Sequence, residues 1–510
     1  MEHVQGVFNR ATYSALSWTA RSIGHVPPLR HALVAAVERS LRRSAATPDA
    51  RHPAAVSDDK LAMSLALLNI ADRALANGML GNASVRGVLD RLVYDVLVRQ
   101  GDSQAKDTFR AKHGSSPPSF LTLSPGKTCN LRCVGCYADA GPTSEKLNWE
   151  TLDRIVREAR EQWGARFFVI SGGEPFAYHD GGNGILELAE RHQDCFFITY
   201  TNGTLITDKV ARRLGELGNL SPSLSVEGLR EKTDARRGSG VFDKVLLAME
   251  RLRREQVFFG LSLTATRHNS EEILSDEMVD LFWNKMGVLY AWVFHYMPIG
   301  RAPSLDLMMT PAQRVALHER IWHLVRDERL FIADFWNSAT ATNGCIAGGR
   351  AGGYMYVNWN GDVCPCVFVP YSPVNIKDVY ARGGTLDDVW SEPLFGAFRD
   401  WQHDYGYREN GQSYGGRGNW LAPCPIRDHH AEFRAMLDRH PAKPIDADAQ
   451  AALEDPDYTA GMTAFGTELA GLTDPVWRER YLALAREQAQ RTPDIRPLRV
   501  PPAPVLKGPT

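Results

Sequence analysis

The chain has 510 residues, enough for roughly two to four domains. Hydrophobic residues make up 44% and charged residues 23%, which excludes a collagenous, mucin-like or wholly disordered chain. With 58 Lys and Arg against 60 Asp and Glu, the net charge is -2, so no global basic field implies nucleic acid as a partner.

The N-terminus lacks an apolar core followed by a small-residue cleavage site, so no secretory signal is read. No stretch approaches the roughly 20 apolar residues that span a bilayer. Residues 1–115 read as helical: LAMSLALLNIADRALA and VRGVLDRLVYDVLVRQ place apolar residues at three- and four-residue steps. PDARHPAAVSDD reads as a loop between helices. The segment ALVAAVERSLRR mixes apolar residues with Arg. Peripheral contact of these N-terminal helices with a membrane or a partner is one reading; packing on the main domain is the favoured one.

From residue 119 short apolar runs alternate with helical patterns. FLTLS precedes TLDRIVREAREQW, FFVIS precedes GILELAERH, and FFITY precedes DKVARRLGEL. SLSV then precedes FDKVLLAMERLRRE, GLSLTA precedes EEILSDEMVDLFWNKM, and YAWVFHY precedes PAQRVALHERIWHLV. Six βα units imply an α/β fold of parallel strands with helical crossovers. An open six-unit barrel and a doubly wound sheet both fit. After about residue 335 the rhythm stops. YMYVNWNGDVCPC reads as two short strands joined by a type I′ turn at Asn360-Gly361. TLDDVWSEPLFGAFRDW reads as a helix, and YGYRENGQSYGGRGNW as a polar loop. Residues 431–492 are again helical in pattern, and 493–510 form a Pro-rich tail expected to be disordered.

Eight cysteines are too few for a disulfide scaffold, but seven fall in two groups, and clusters in a chain without a signal favour metal in a reducing compartment. A cytoplasmic location is expected. Cys195, in apolar sequence, reads as a buried thiol. Cys129, Cys133 and Cys136 follow the first strand directly. Thiolates suit zinc and iron–sulfur clusters. A structural zinc site wants four ligands, and no fourth Cys or His lies nearby. An iron–sulfur cube held by three thiolates leaves one iron for a small molecule.

CxxxCxxC on the loop after the first strand of a βα array resembles the radical S-adenosylmethionine (SAM) superfamily. Further motifs carry the resemblance: Gly172-Gly173-Glu174-Pro175 after the second strand, Thr201-Asn202-Gly203 after the third, and Ser225-Val226-Glu227-Gly228 after the fourth. Arg236-Arg237-Gly238-Ser239-Gly240 and Tyr296-Met297-Pro298-Ile299-Gly300 add to it. The resemblance implies a partial (β/α)6 TIM-like barrel over residues 116–335. It implies a [4Fe-4S] cluster on Cys129, Cys133 and Cys136 whose free iron chelates SAM. Reduction then cleaves SAM to methionine and a 5′-deoxyadenosyl radical. The glycines are expected to let the backbone approach SAM, with Glu174 accepting from its ammonium. Gly172, Gly173, Glu174, Pro175, Thr201 and Asn202 are the expected cofactor-binding set. Ser225 and Glu227 join it for the SAM carboxylate and ribose, with plain loop polarity as the alternative. Relatives carry an aromatic residue near adenine just before the third Cys; here Gly135 stands there, and Tyr137 is the substitute.

Cys345, followed by Gly361-Asp362-Val363-Cys364-Pro365-Cys366 and TLDDVW, resembles a SPASM domain, placed at 336–430. The further Cys pairs of that pattern are missing, which argues against two auxiliary clusters. With Cys424, the four thiols suffice for one auxiliary [4Fe-4S] cluster. Cys364 and Cys366 would share one strand face. Alternatively Cys364 is spare and one iron is open. A zinc site of the same thiols and buried free thiols are the competing readings. His429 and His430 are read as surface or pocket residues rather than ligands.

The resemblance implies an enzyme that abstracts hydrogen from a peptide, lipid or natural-product metabolite, fed by an electron donor such as flavodoxin or ferredoxin. The N-terminal region lacks the strand pattern of a peptide-binding winged-helix module, which weakens the leader-peptide reading. The rivals are a non-enzymatic zinc- or iron–sulfur-binding adaptor and an electron carrier. Neither needs the motifs at the strand ends.

Overall fold

The computed structural model describes residues 27–99, 101–409, 412–415 and 417–483. The start of the expected N-terminal helical region and the expected disordered tail lie outside the described residues.

The alternating runs form parallel strands: β1 Phe120–Leu123, β2 Phe167–Ile170, β3 Phe196–Thr201, β4 Leu220–Val226, β5 Gly260–Ala265 and β6 Ala291–His295. They lie in chain order without reversal. A doubly wound sheet reverses its order at a switch point, so this winding is that of a partial barrel. Two strands extend it beyond the six expected. β7, Ile332–Asp334, continues parallel beside β6, and β8, Tyr354–Val357, pairs parallel with β1. The rhythm therefore runs past residue 335, and eight parallel strands stand in the order β8-β1-β2-β3-β4-β5-β6-β7.

Period-two alternation decides what each strand face meets. Leu121, Phe168, Phe197, Leu261 and Val293 pack against the outer helices. Phe120, Val169, Ile198, Ser262 and Phe294 face inward and line a cavity of about 610 Å³. A closed eight-strand barrel fills its interior with side chains; here Ser225, Ser262 and Thr264 are too small to do so. The outer helices start where a side chain can accept from an otherwise unpaired N–H: Asn148 caps Trp149–Gln162, Thr207 caps Asp208–Leu217, and Thr310 caps Pro311–Arg326.

The hairpin after β8 is present, with β9, Asp362–Cys364, antiparallel to β8. Its turn is not type I′. That turn needs positive φ at both central residues, and only Gly361 has it, at 91°. The Asn358 side chain instead accepts from Asn360 N and Asp362 N, each at 2.9 Å, and builds a longer loop. The helix expected over TLDDVWSEPLFGAFRDW is two, Leu386–Trp390 and Pro393–Asp404. Pro393 cannot donate inside a helix but suits the first position of a new one.

Helix Pro27–Ala45 packs on helix Ala54–Ala76, with Arg30 paired to Asp72 at 2.8 Å. Ile70 and Leu92, with Phe258 and Tyr290, close the N-terminal end of the barrel. Helix Ala54–Ala76 also meets helices Pro311–Arg326 and Ala339–Thr342. Its buried Asp59 takes bonds from Arg326 and, at 2.8 Å, from Tyr481 near the other end of the described chain. Among the described residues, no helix is long and apolar enough to cross a membrane.

Three histidines, His52, His295 and His318, are held neutral mainly by burial, each with its pKa pushed down to about 4. An unfolded chain takes up these protons near pH 6.5. Between the two values the unfolded state binds more protons, so acid removes stability there. The thermal unfolding midpoint is expected to fall between neutral pH and about pH 5. Substituting Gln at all three should flatten that dependence; an unchanged slope would reject their burial as its cause.

Candidate active site

The loop after β1 turns back on itself, with Cys129 N donating to Gly141 O at 2.9 Å and Asp139 N to Cys136 O at 3.0 Å. This places Cys129, Cys133 and Cys136 on one wall of the cavity. Two arginines fix it. Arg301 donates to Cys133 O at 2.9 Å and to Asp139 at 3.0 Å, and Arg236 donates to Val134 O at 3.1 Å. Gly300 is required beside it, since a Cβ there would lie 2.4 Å from the Cys136 and Tyr137 carbonyls. Burial pushes the Cys129 thiol up to about 11.

Gly172 and Gly173 serve this same loop. A Cβ at Gly173 would lie 2.1 Å from Thr128 O, and one at Gly172 2.7 Å from Gly126 O. The close approach is thus between two loops of the chain, where the sequence reading expected approach to a ligand. Glu174 N donates to Thr128 O at 2.8 Å. The buried Glu174 carboxylate accepts from Thr201 Oγ1 at 2.6 Å, Phe176 N at 3.1 Å and Asn202 N at 2.8 Å. A carboxylate has about four acceptor positions, so one remains on Oε2. Burial raises the Glu174 pKa. Pro175 starts the short turn after it. Asn202 bonds Asn130 at 2.9 Å and lies 3.8 Å from Cys129 Sγ.

Ser225 lines the cavity. Glu227 does not reach out freely: Oε1 is taken by Arg236 at 2.7 Å and by Arg237, while buried Oε2 has no partner. Arg237 spans from Glu227 to Cys133 Sγ, 4.0 Å away. Tyr137 bonds Ser171 Oγ at 2.7 Å and accepts from Gly172 N at 3.0 Å. Gly135, at φ 61°, leaves room for the Tyr296 ring, which a Cβ there would meet at 2.5 Å. Arg301 is a site residue that the sequence reading did not name, and Arg237 and Tyr296 stood in its motifs without a role. The motif ending at Gly300, one residue before Arg301, is the signal that could have found it.

The second cysteine group gathers between the hairpin and the loop before helix His430–Arg439. Cys366, Cys345 and Cys424 are near enough to raise one another's pKa, after burial as the main cause. Tyr354 OH lies 3.0 Å from Cys366 Sγ. Cys364 has burial as the main cause of its raised pKa, and Asp362, Cys366 and Asp446 as charged neighbours. β9 ends at Cys364 and the chain bends at Pro365, so the shared strand face expected for Cys364 and Cys366 does not form. His429 bonds Ala422 O at 2.9 Å and His430 bonds Ile426 O at 2.7 Å. No three His, Cys, Asp or Glu side chains among the described residues converge closely enough to hold a single metal ion.

Comparison with known families matches residues 123–275 to the radical SAM superfamily and residues 345–411 to the SPASM iron-sulfur cluster-binding domain. The chain carries a radical SAM domain and a SPASM domain. It is 28% identical over 310 residues to the mycofactocin maturase MftC of Mycolicibacterium smegmatis, covering 58% of this chain and 74% of that one. It is 26% identical over 321 residues to an AdoMet-dependent heme synthase of Methanosarcina barkeri, covering 56% and 86%. A solved structure of SuiB from Streptococcus suis, bound to precursor peptide SuiA, is 21% identical with a TM-score of 0.49, covering 58% of this chain and 70% of that one.

A radical SAM enzyme uses a [4Fe-4S] cluster and SAM, and a SPASM domain implies auxiliary iron–sulfur chemistry. The donor set fits: three soft thiols share a cavity wall with the spare acceptor on Glu174 and the Arg237 cation. Glu174→Gln is expected to weaken SAM binding about ten- to hundredfold, the scale of one charged hydrogen bond at roughly 1.5–3 kcal/mol. Titration calorimetry of the iron-loaded variant checks this, with iron content unchanged; equal affinity would leave Glu174 as a loop brace only.

Proposed function

We propose that this radical SAM enzyme removes a hydrogen atom from an organic substrate seated inside the barrel, with residues 116–335 as the core and 336–430 as the auxiliary domain. The supporting observation is one continuous cavity that joins Cys129, Cys133, Cys136 and Glu174 to the aromatic interior wall of Phe120, Phe294, Phe335 and Phe368. When bound, the cluster and SAM supply the one-electron chemistry. The chain's residues do the rest. Cys129, Cys133 and Cys136 hold iron, Glu174 orients the SAM ammonium, and Arg237 faces its carboxylate. The aromatic wall excludes water that would quench reactive species. A flavodoxin or ferredoxin is the proposed electron donor. The similarity to a maturase and a heme synthase supports a substrate-modifying role over that of an adaptor or electron carrier.

The test is anaerobic reconstitution with iron and sulfide, reduction, and chromatographic assay of 5′-deoxyadenosine. Wild type is expected to form it, and the Cys129/Cys133/Cys136 triple Ala variant to form none. Equal product from both would overturn the assignment.

A further inference from the structure

The eight parallel strands do not close into a ring. β7 and β8 share no ladder, and the Phe335 and Tyr354 rings meet edge to face across the seam, 6.0 Å between centroids. Residues 335–353 cross this seam, and helix Ala54–Ala76 packs over their short helix Ala339–Thr342. The barrel cavity extends to this place. Its wall here includes Thr342, Asn343, Arg350 and, from the covering helix, Lys60.

Lys60 is the cation in that wall with nothing to do. Its ammonium makes no hydrogen bond or ion pair with the described residues. Burial pushes its pKa down to about 7; Asp49 opposes this, while Arg51 and Arg350 add to it. The Asp49 carboxylate is already held by Arg51 through both oxygens, at 2.7–3.2 Å. The Arg350 guanidinium is spent on the carbonyls of Thr342, Gly344, Cys345 and Ala351, so it offers charge but no free fork. A buried ammonium facing other cations is costly unless an anion joins it. From the seam the cavity leads inward along aromatic side chains to the three thiols.

We infer that Lys60 anchors an anionic group of the substrate, and that the substrate is an amphipathic acid whose apolar body runs from the seam into the barrel. The inference rests on the reading of the barrel as the substrate chamber and names the class of molecule it takes. The anion is a carboxylate or a phosphate, and both arms are tested.

The iron-loaded full chain is titrated calorimetrically, below neutral pH, with decanoate, decyl phosphate and 1-decanol, which share one tail length. At least one anion is expected to bind about tenfold or more tightly than the alcohol. Lys60→Met, similar in volume and so gentle on packing, should erase that advantage while decanol still binds. Lys60→Arg should keep most of it. Equal binding of anions and alcohol by wild type overturns the inference, as does an anion affinity unchanged in Lys60→Met. The two readings fail separately. A chain that discriminates through Lys60 but never cleaves SAM keeps the anchor and loses the radical reaction; a chain that cleaves SAM without discriminating does the reverse.

Discussion

Cys366→Ala is expected to remove about four of about eight irons per reconstituted chain, whereas Cys364→Ala leaves the total unchanged. Cys366 lies beyond the end of β9, where the chain bends, and has Cys345 and Cys424 as thiol neighbours. Its sulfur shares a hydrogen bond with Tyr354 OH at 3.0 Å and accepts from Phe368 N at 3.5 Å. Burial keeps all these thiols protonated without metal, Cys424 being pushed up to about 11, so iron must displace their protons. Cys364 is fully buried, with Asp362, Cys366 and Asp446 beside it, and burial first and the two carboxylates second disfavour a thiolate there. Iron analysis with Mössbauer spectra checks both variants. Equal iron loss from Cys364→Ala would return it to the ligand set. If the expectation holds, one iron of the auxiliary cube lacks a cysteine.

Asp428→Asn should cost about 3–5 kcal/mol of stability, the scale for breaking a buried ion pair from one side. Asp428 accepts from Arg314 at 2.6 Å, from Arg427 at 3.0 Å, and from Cys424 N at 3.1 Å. Asp334 completes the group. It accepts from His295 at 2.8 Å and is joined to Arg314 through Asn337. His295 is neutral, so two guanidiniums stand against two carboxylates in a site closed to water. The variant leaves two cations and one anion there. Anaerobic urea unfolding of the iron-loaded chain gives the loss. A change below about 1 kcal/mol, the range of an exposed pair, would mean that water reaches the network.

Much of this was legible in the sequence, and what was missed has physical reasons. β1 to β6 announce themselves because each is a short apolar run followed by a helical pattern. β7 is three residues, Ile332–Asp334, too short to carry a period. β8 reads as a strand, but its partner β1 lies far back in the sequence, and nothing local encodes that pairing. Asn360-Gly361 has the letters of a two-residue turn, yet the Asn358 side chain offers the backbone better-placed acceptors. The cysteines that line the first site follow from spacing alone. Arg237 and Arg301 do not, because a guanidinium's role depends on which loops meet around it. Gly172 and Gly173 stand in the expected motif, but the atoms that demand glycine belong to the cysteine loop.

The Asp59 junction has a consequence in time. Its hydrogen-bond donors are Arg326 and, 422 positions along the chain, Tyr481, with Arg480 3.8 Å away. Proteins are made from the N-terminus onward at about 5–20 residues per second. Asp59 thus emerges long before the hydroxyl that completes its shell. The cysteine loops leave the ribosome within that interval. The junction that ties helix Ala54–Ala76 to the far end of the described chain therefore closes only after all seven clustered cysteines have been made.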